Sequence, residues 1–417
     1  MRNLLIIGGG QAAIRTALSL REIGYGEAIT LVGDEPHAPY ERPPLSKEVL
    51  LGKTTPEACA IANPNRLAEA GLRLHLGQSV VEIEPAPGAA RLSDGRSLAF
   101  DSLLLATGAK PRRLGLPGTE AAGIFTLRSL DDAVALRLAA EAAQAGRCDS
   151  PVVILGGGFL GLEAAASLRS LGLAVTVLES APQLLHGRLP AAIAAWLQQW
   201  HERHGVTIRT NAQPLAYEIT DDGHVAGLLL ADGERLPCRL VLEAVGAVPN
   251  TDLGASLGLD CIGGILADAQ GRTALPRIFT AGDVARWLHP RYDRPLRLES
   301  WQAAQLQGAA VAKAMLGVEA PFDAVPWFWS GQHDAMIHIA GLLEDGLTLV
   351  QRGNLDGNGP LGWFGLKQGR LRLAVTVNAM ADARVGQNLI ERGFQHGLEL
   401  DPARLADPGQ RLRSLAA

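Results

Sequence analysis

The sequence predicts an α/β protein with two doubly wound, parallel-sheet domains and a smaller α+β domain toward its C-terminal end. Three observations carry this. The apolar runs Leu4-Leu5-Ile6-Ile7 and Val152-Val153-Ile154-Leu155 each read as a buried parallel strand, and each runs straight into three consecutive glycines. Each glycine turn opens a helical stretch, Ile14 to Ile23 in one case and a run ending at Leu171 in the other. A second strand follows each helix, Ala28 to Val32 and Ala174 to Leu178, and each leads to an acid, Asp34-Glu35 and Glu179. From about Ala320 the buried runs give way to the aromatic-dense Pro326-Trp327-Phe328-Trp329-Ser330 and to alternating segments such as Leu371 to Val377, the pattern of an antiparallel sheet.

In the first unit Gly8 permits a tight turn, Gly10 lets the backbone approach a pyrophosphate, and Ala13 keeps helix and strand close. The helix N-terminus then offers unpaired N–H groups and a positive dipole end, and Asp34-Glu35 closes the unit. Strand, glycine turn, helix, strand and acid, in that order, are what a dinucleotide site needs. The loop His37 to Lys47 follows. Its adjacent Pro43 and Pro44 predict a stiff, extended segment that either holds a cation in place or simply connects, with Ser46 as cap of a helix beginning at Lys47. Residues 72 to 105 alternate short strands and turns, with Ser93-Asp94-Gly95-Arg96 as a hairpin signal. The strand Asp101 to Leu105 ends in the small residues Ala106-Thr107-Gly108-Ala109, which suit close packing against a ligand or any tight turn.

The second unit carries the full pattern Gly156, Gly158 and Gly161, with Glu179 placed 23 positions after Gly156. A carboxylate there accepts the ribose hydroxyls of NAD and repels the extra phosphate of NADP. Two such sites in one chain imply two nucleotides held face to face, one of them a flavin that carries the redox chemistry. The run Leu240-Val241-Leu242 leads to Gly246 and echoes the strand and small-residue turn at 101–109. The run Arg277 to Asp283 reads as a strand, a Gly282-Asp283 turn and then a helix-prone segment. Asp283 there either binds a sugar-like hydroxyl chain or caps the helix. Arg286, Arg291, Arg294 and Arg297, with His289, form either a solvated loop or an electropositive patch. The tail after Asp401 reads as a last helix or as partly disordered.

A chain of 417 residues with 47% apolar and 19% charged residues supports two or three cores. Its net charge of −5 argues against nucleic acid or an anionic membrane as partner. There is no uninterrupted apolar run of a length that spans a bilayer, and no secretory leader is expected before the first strand. Cys59, Cys148, Cys238 and Cys261 lack paired spacing, which argues against a metal site and a dithiol redox pair and suits a reducing cytoplasm.

With these residues in hand, the chain resembles the ferredoxin reductases of bacterial oxygenase systems, flavoproteins of the glutathione-reductase superfold. The marks are Gly8-Gly9-Gly10-Gln11-Ala12, Val32-Gly33-Asp34-Glu35, Arg42-Pro43-Pro44-Leu45-Ser46-Lys47, Leu105-Ala106-Thr107-Gly108, Thr280-Ala281-Gly282-Asp283, Leu298-Glu299-Ser300 and Trp327-Phe328-Trp329-Ser330. The resemblance implies an FAD domain built from 1–112 and 245–318, an NAD domain at 113–244 and a C-terminal α+β interface domain at 319–417. Its implied FAD residues are Gly8, Gly10, Ala12, Ala13, Asp34, Arg42, Lys47, Val80, Ala106, Thr107, Gly108, Arg128, Gly282, Asp283 and Trp301. Its implied NAD residues are Gly156, Gly158, Gly161, Glu163, Glu179 and Gly246. Asp34 rather than Glu35 would meet the adenosine ribose.

By the same resemblance, Lys47 lies beside the flavin ring and is oriented by Glu163, and Trp329 rather than Trp327 lies on the ferredoxin side. NADH would reduce the flavin, which would then pass single electrons to a small acidic ferredoxin, a [2Fe–2S] protein feeding an oxygenase. The chain departs from the pattern at Gly331, where the family usually has aspartate, and at Trp301, where it usually has valine. The helix after Trp301 lacks the usual asparagine. Alternatives are an NADH oxidase-like flavoprotein, which needs a redox cysteine, and a redox-dependent binding protein similar to apoptosis-inducing flavoproteins.

Overall fold

The computed structural model describes residues 3–145, 151–355 and 361–416. Cys148 lies outside them. The chain divides into two compact units, one formed by Met1–Glu41, Pro56–Lys110 and Ala247–Pro326, the other by Arg42–Thr55, Pro111–Gly246 and Trp327–Ala417. The second glycine-turn region and the C-terminal region thus belong to one unit, which also takes in the segment carrying Lys47.

The first unit is built on a five-stranded parallel sheet in the order 278–280, 102–105, 3–7, 28–33, 72–76. The strand Asn3–Ile7 is central because nearly every side chain on it is apolar, so both faces can be covered. Helix Gln11–Glu22 lies against helix Trp301–Met315 at Gly308, where a Cβ would fall 2.7 Å from the Ala12 carbonyl oxygen. Thr16 Oγ1 reaches the Ala12 carbonyl at 2.8 Å and the Gly308 carbonyl at 3.1 Å, so the crossing is stitched as well as packed. Ile6, Ile14, Leu20 and Leu103 are sealed from water in this core. Each contributes about 1.5–3 kcal/mol by that burial. The hairpin expected at Ser93 to Arg96 joins strands Ala89–Leu92 and Ser97–Ala99.

The second unit has its own five-stranded parallel sheet, in the order 206–209, 175–178, 152–155, 240–243, 124–125. Turns at Asp221-Asp222-Gly223 and Asp232-Gly233 connect an antiparallel sheet of Pro214–Ile219, Val225–Leu230 and Arg235–Pro237. The C-terminal region is an antiparallel sheet in the order 327–332, 335–341, 370–377, 361–367, 348–352, with helix Met380–His396 against it. Gly386 lets that helix approach, since a Cβ there would stand 2.8 Å from the Ala374 Cβ. The tail forms helix Pro402–Ala406, capped by the Asp401 carboxylate, and a last turn at Leu412–Ala416.

Three local expectations are corrected. The segment after Asp283 is strand Ala285–His289, paired with Arg294–Leu296, and no helix follows for Asp283 to cap. Burial of Trp287 outweighs helical propensity there. Pro44 is helical rather than extended (φ −70°, ψ −17°) and leads into a π-helical turn, Leu45–Val49. Ser46 lies inside that turn and caps nothing, because its hydroxyl is committed elsewhere. Among the described residues no helix is long and apolar enough to cross a membrane.

Candidate functional site

Each unit supplies a glycine cradle. In the first, Gly8 has φ +124°, and a Cβ on it would fall 2.1 Å from the Ala106 carbonyl oxygen, so only glycine fits. Its N–H donates to the Val32 carbonyl at 2.8 Å, fixing the turn to the sheet. Gly10 caps helix Gln11–Glu22, and a Cβ on Gly9 or Gly10 would meet no protein atom within 4 Å. Gln11 opens that helix, and its amide nitrogen and oxygen are shut off from water with no hydrogen-bond partner in the protein. Open space over the turn, free N–H groups at a helix start and a sealed amide fit a bound pyrophosphate. The Tyr40 hydroxyl donates to Glu35, whereas Asp34 is exposed. The two adjacent acids are therefore distinguished, with Asp34 the one presented outward.

The same unit holds most of the other predicted first-site residues, whereas Arg42, Lys47 and Arg128 lie in the second unit. Ala13 is buried in the helix–strand contact, and Ala12 faces the glycine of the 282 turn, whose Cβ would lie 3.1 Å away. The Gly282 N–H donates to Gln307 Oε1 at 2.9 Å, leaving the buried Gln307 Nε2 without a protein partner. Thr107 is clamped to Asn250, its hydroxyl donating to the Asn250 carbonyl at 2.7 Å while Asn250 Nδ2 donates back at 2.9 Å. The Gly108 carbonyl accepts from the Asn250 N–H at 3.0 Å. Ala106 and Val80 are buried, Asp283 is half-buried after the Gly282 turn, and Trp301 is half-buried in the first turn of helix Trp301–Met315.

In the second unit Gly156 has φ +108°, and a Cβ there would fall 2.5 Å from the Ala244 carbonyl oxygen. Gly161 is constrained by the Gly156 carbonyl, 2.2 Å from where its Cβ would be. Cβ atoms on Gly158 and on Gly246 (φ +104°) would meet only open space. Glu179 is already braced by the turn, Oε2 accepting from the Gly157 N–H and Oε1 from the Ala181 N–H, both at 2.8 Å. An ionised carboxylate has about four acceptor positions, so this bracing fixes Glu179 while leaving capacity for ribose hydroxyls.

The charge centre also lies in the second unit. Lys47 Nζ donates to Glu163 Oε2 at 2.8 Å, and the Ser46 hydroxyl donates to the same oxygen at 2.6 Å. The Ser330 hydroxyl donates to Glu163 Oε1 at 2.7 Å. Glu163 is 7% exposed, yet its two oxygens receive three donors, which satisfies a buried carboxylate. The Ser46 carbonyl is tied to the helix of Glu163 by the Ser167 hydroxyl at 2.7 Å. A Cβ on Gly331 would stand 3.8 Å from Lys47 Cδ, so strand Trp327–Gln332 passes directly over the lysine stem. Trp329 is half-buried on that strand, and Trp327 meets His338 edge-on at 5.6 Å. Arg42 Nη1 donates to the Arg128 carbonyl at 2.6 Å, so these two predicted site residues adjoin within this unit. Asp132 holds the Arg128 and Ser129 N–H groups at 2.9 and 3.0 Å.

Three of the four arginines between Asp283 and Glu299 are held in ion pairs. Arg286 meets Asp260 at 2.9 Å, Arg291 meets Asp323 at 2.9 Å, and Arg297 pairs with Glu299. That segment is a braced hairpin whose charge is largely compensated, with Arg294 exposed at its edge. Among the described residues no group of His, Cys, Asp or Glu is arranged to hold a metal.

Residues 2–308 match the pyridine nucleotide-disulphide oxidoreductase family, and residues 327–416 match the reductase C-terminal family. The chain is 36% identical to the ferredoxin–NAD(+) reductase component of the biphenyl dioxygenase system of Paraburkholderia xenovorans, over 99% of this chain and 98% of that one. The chain belongs to the ferredoxin reductases of the pyridine nucleotide-disulphide oxidoreductase family. It is 35% identical to a probable ferredoxin reductase of Castellaniella defragrans, again over 99% of this chain and 98% of that one. Among solved structures, the covalent putidaredoxin reductase–putidaredoxin complex matches with a TM-score of 0.93 and 32% identity, covering 100% of this chain and 98% of that one. FAD is the cofactor of this family.

Several residues of this ferredoxin reductase-family chain carry weight that sequence reasoning missed. Ser46 and Ser330 are the remaining donors to Glu163, and a serine within a turn or strand gives no pattern signal for that. Gln11 and Gln307 sit at the first cradle as sealed amides. Glu243, 1% exposed, receives the Tyr217 hydroxyl at 2.6 Å and faces Arg113 at 3.5 Å. Its position at the end of an apolar strand was the available clue, because a lone acid in a buried strand needs partners.

Proposed function

We propose that the chain is an FAD-containing NADH:ferredoxin oxidoreductase that delivers electrons to a small acidic [2Fe–2S] ferredoxin serving an oxygenase, in the cytoplasm. The observation that carries the reading is the buried Lys47–Glu163 pair beside a second nucleotide cradle, in a chain that has a separate first cradle. In this reading FAD occupies the domain of 1–112 and 245–318, NADH the domain of 113–244, and 319–417 covers the flavin. Gly8, Gly10 and Gln11 would hold the pyrophosphate of FAD and Asp34 its adenosine ribose. Ala12, Ala13, Val80, Ala106, Thr107, Gly108, Gly282, Asp283 and Trp301 would line its path, with Arg42 and Arg128 at the edge. Gly156, Gly158, Gly161 and Gly246 would cradle NADH, with Glu179 on its ribose.

Bound FAD supplies a group that accepts two electrons together and releases them singly. Lys47 supplies fixed positive charge to a group that gains negative charge on reduction. Glu163 holds the ammonium in place at 2.8 Å and keeps it from folding into solvent. Trp329 is assigned to the acceptor side. Burial pushes Cys238 up to about 12 and raises Cys261, so neither of these two is the ready nucleophile that the NADH oxidase alternative needs. Mass spectrometry of the released cofactor tests the reading together with flavin bleaching under argon. FAD bleached by NADH without added thiol supports it, and FMN or no flavin refutes it.

A further inference from the structure

Behind the Lys47–Glu163 pair runs a string of buried polar side chains. Ser330 Oγ receives Gln332 Nε2 at 2.9 Å, Gln332 Oε1 meets His201 Nε2 at 2.8 Å, and His201 Nδ1 meets His333 Nε2 at 3.3 Å. Ser330, Gln332 and His201 are 0% exposed. His333, in a left-handed conformation (φ 56°), stacks on His204 at 4.2 Å, and His204 reaches Asp334 at 3.3 Å near the surface. All of these lie in the second unit.

The direction of every bond in this string follows from one charge. An ionised Glu163 only accepts, so the single Ser330 hydroxyl proton goes to Glu163 Oε1. Ser330 Oγ must then accept from Gln332, which turns the amide nitrogen inward and its oxygen toward His201. His201 must therefore carry its proton on Nε2. Burial, with a smaller contribution from His204, holds the His201 pKa down at about 4, so the ring is neutral at pH 7 and its Nδ1 is a bare acceptor for His333. His333 is lowered to about 3 by burial first, then by His201, His204 and Arg169 against the opposing Asp334. An amide passes no proton without tautomerising, so the string conveys orientation and not protons.

We infer that Gln332 and His201 are positioning residues: His201 turns the Gln332 amide so that it offers Ser330 a donor and no competing acceptor, which leaves the one Ser330 hydroxyl proton to Glu163, the partner of Lys47. The inference rests on the role given to Lys47 and Glu163 in the proposed function, but its test is read from the protein itself. In full-length protein with ¹⁵N-labelled histidine, His201 and His333 should both show the neutral, Nε2-protonated tautomer at pH 7. A proton on His201 Nδ1 overturns the inference. Infrared titration of the Glu163 carboxyl, assigned by its loss in Glu163→Gln, gives the second reading.

Gln332→Glu draws the Ser330 proton away from Glu163 and adds a like charge, so the Glu163 midpoint should rise by about one pH unit. Gln332→Met offers Ser330 no competing acceptor and should leave the midpoint in place. Equal midpoints in the two variants would mean that Gln332 merely fills space, and would overturn the inference. Should Gln332→Glu not accumulate, Ser330→Ala must raise the midpoint likewise, and an unmoved midpoint there overturns it. Wild-type tautomers as stated in a protein that reduces no ferredoxin would sink the functional reading and leave the string intact.

Discussion

Glu163→Gln is the substitution whose cost the structure defines best. At 2.8 Å the Lys47–Glu163 attraction is roughly 6 kcal/mol for an effective dielectric of about 20. Desolvation of both groups cancels part of this, since the Lys47 and Glu163 side chains are only 20% and 9% exposed. A glutamine amide in place of the carboxylate presents one acceptor oxygen to three donors and sets an N–H₂ where a donor already points, either the Ser330 hydroxyl or the Lys47 ammonium with the Ser46 hydroxyl. Removing one partner of a buried pair then costs about 3–5 kcal/mol of folding stability. Lys47→Met costs less, because Glu163 keeps the Ser46 and Ser330 hydroxyls. Urea unfolding followed by circular dichroism measures both variants. A Glu163→Gln loss below about 1 kcal/mol, the range of exposed pairs, would refute the view that this pair is buried.

Four further outcomes are expected. Glu179→Ala should weaken NADH binding and improve tolerance of NADPH, read as the ratio of flavin reduction rates by stopped flow; an unchanged ratio removes Glu179 from the ribose. Gly331→Asp fits sterically beside the Lys47 stem and introduces a second carboxylate competing for Nζ. Its flavin potential should fall, and a rise would contradict the placement of Lys47. Lys47→Ala should lower the flavin midpoint potential by about 30–60 mV, the equivalent of one charge-assisted hydrogen bond. For pH, the folded-state pKa of His201 lies below its ordinary 6.5, at about 4, so its contribution is fully present above pH 6.5 and is lost as pH falls toward 4. That loss amounts to roughly 3 kcal/mol, and His201→Phe should flatten the stability–pH slope in that window.

The parallel cores were legible because period and length agreed: four apolar residues before three glycines leave little besides a buried strand. The turn at 93–96 followed from residues that tolerate positive φ, as Gly95 does. Segment 285–289 misled because its local propensity is ambiguous, and the burial of Trp287 decides it at long range. Ser46 was misassigned for a related reason. A serine before a helix signals a cap locally, whereas its partner Glu163 is 117 positions away. The arginine segment showed its charge in the sequence but not the acids Asp260 and Asp323 that neutralise it. Residue pairs brought together across the fold, Ser330 with Glu163 or His201 with Gln332, leave no periodic trace at all.

Electrons pass from NADH through FAD to a ferredoxin in the proposed function. The most direct test mixes NADH-reduced protein with a plant-type or Rieske-system [2Fe–2S] ferredoxin under argon and follows flavin and cluster absorbance together. The flavin colour should return as the cluster bleaches, with two ferredoxins reduced for each NADH consumed. A flavin that stays reduced with NAD bound, in a long-lived charge-transfer complex that ferredoxin does not discharge, would contradict it.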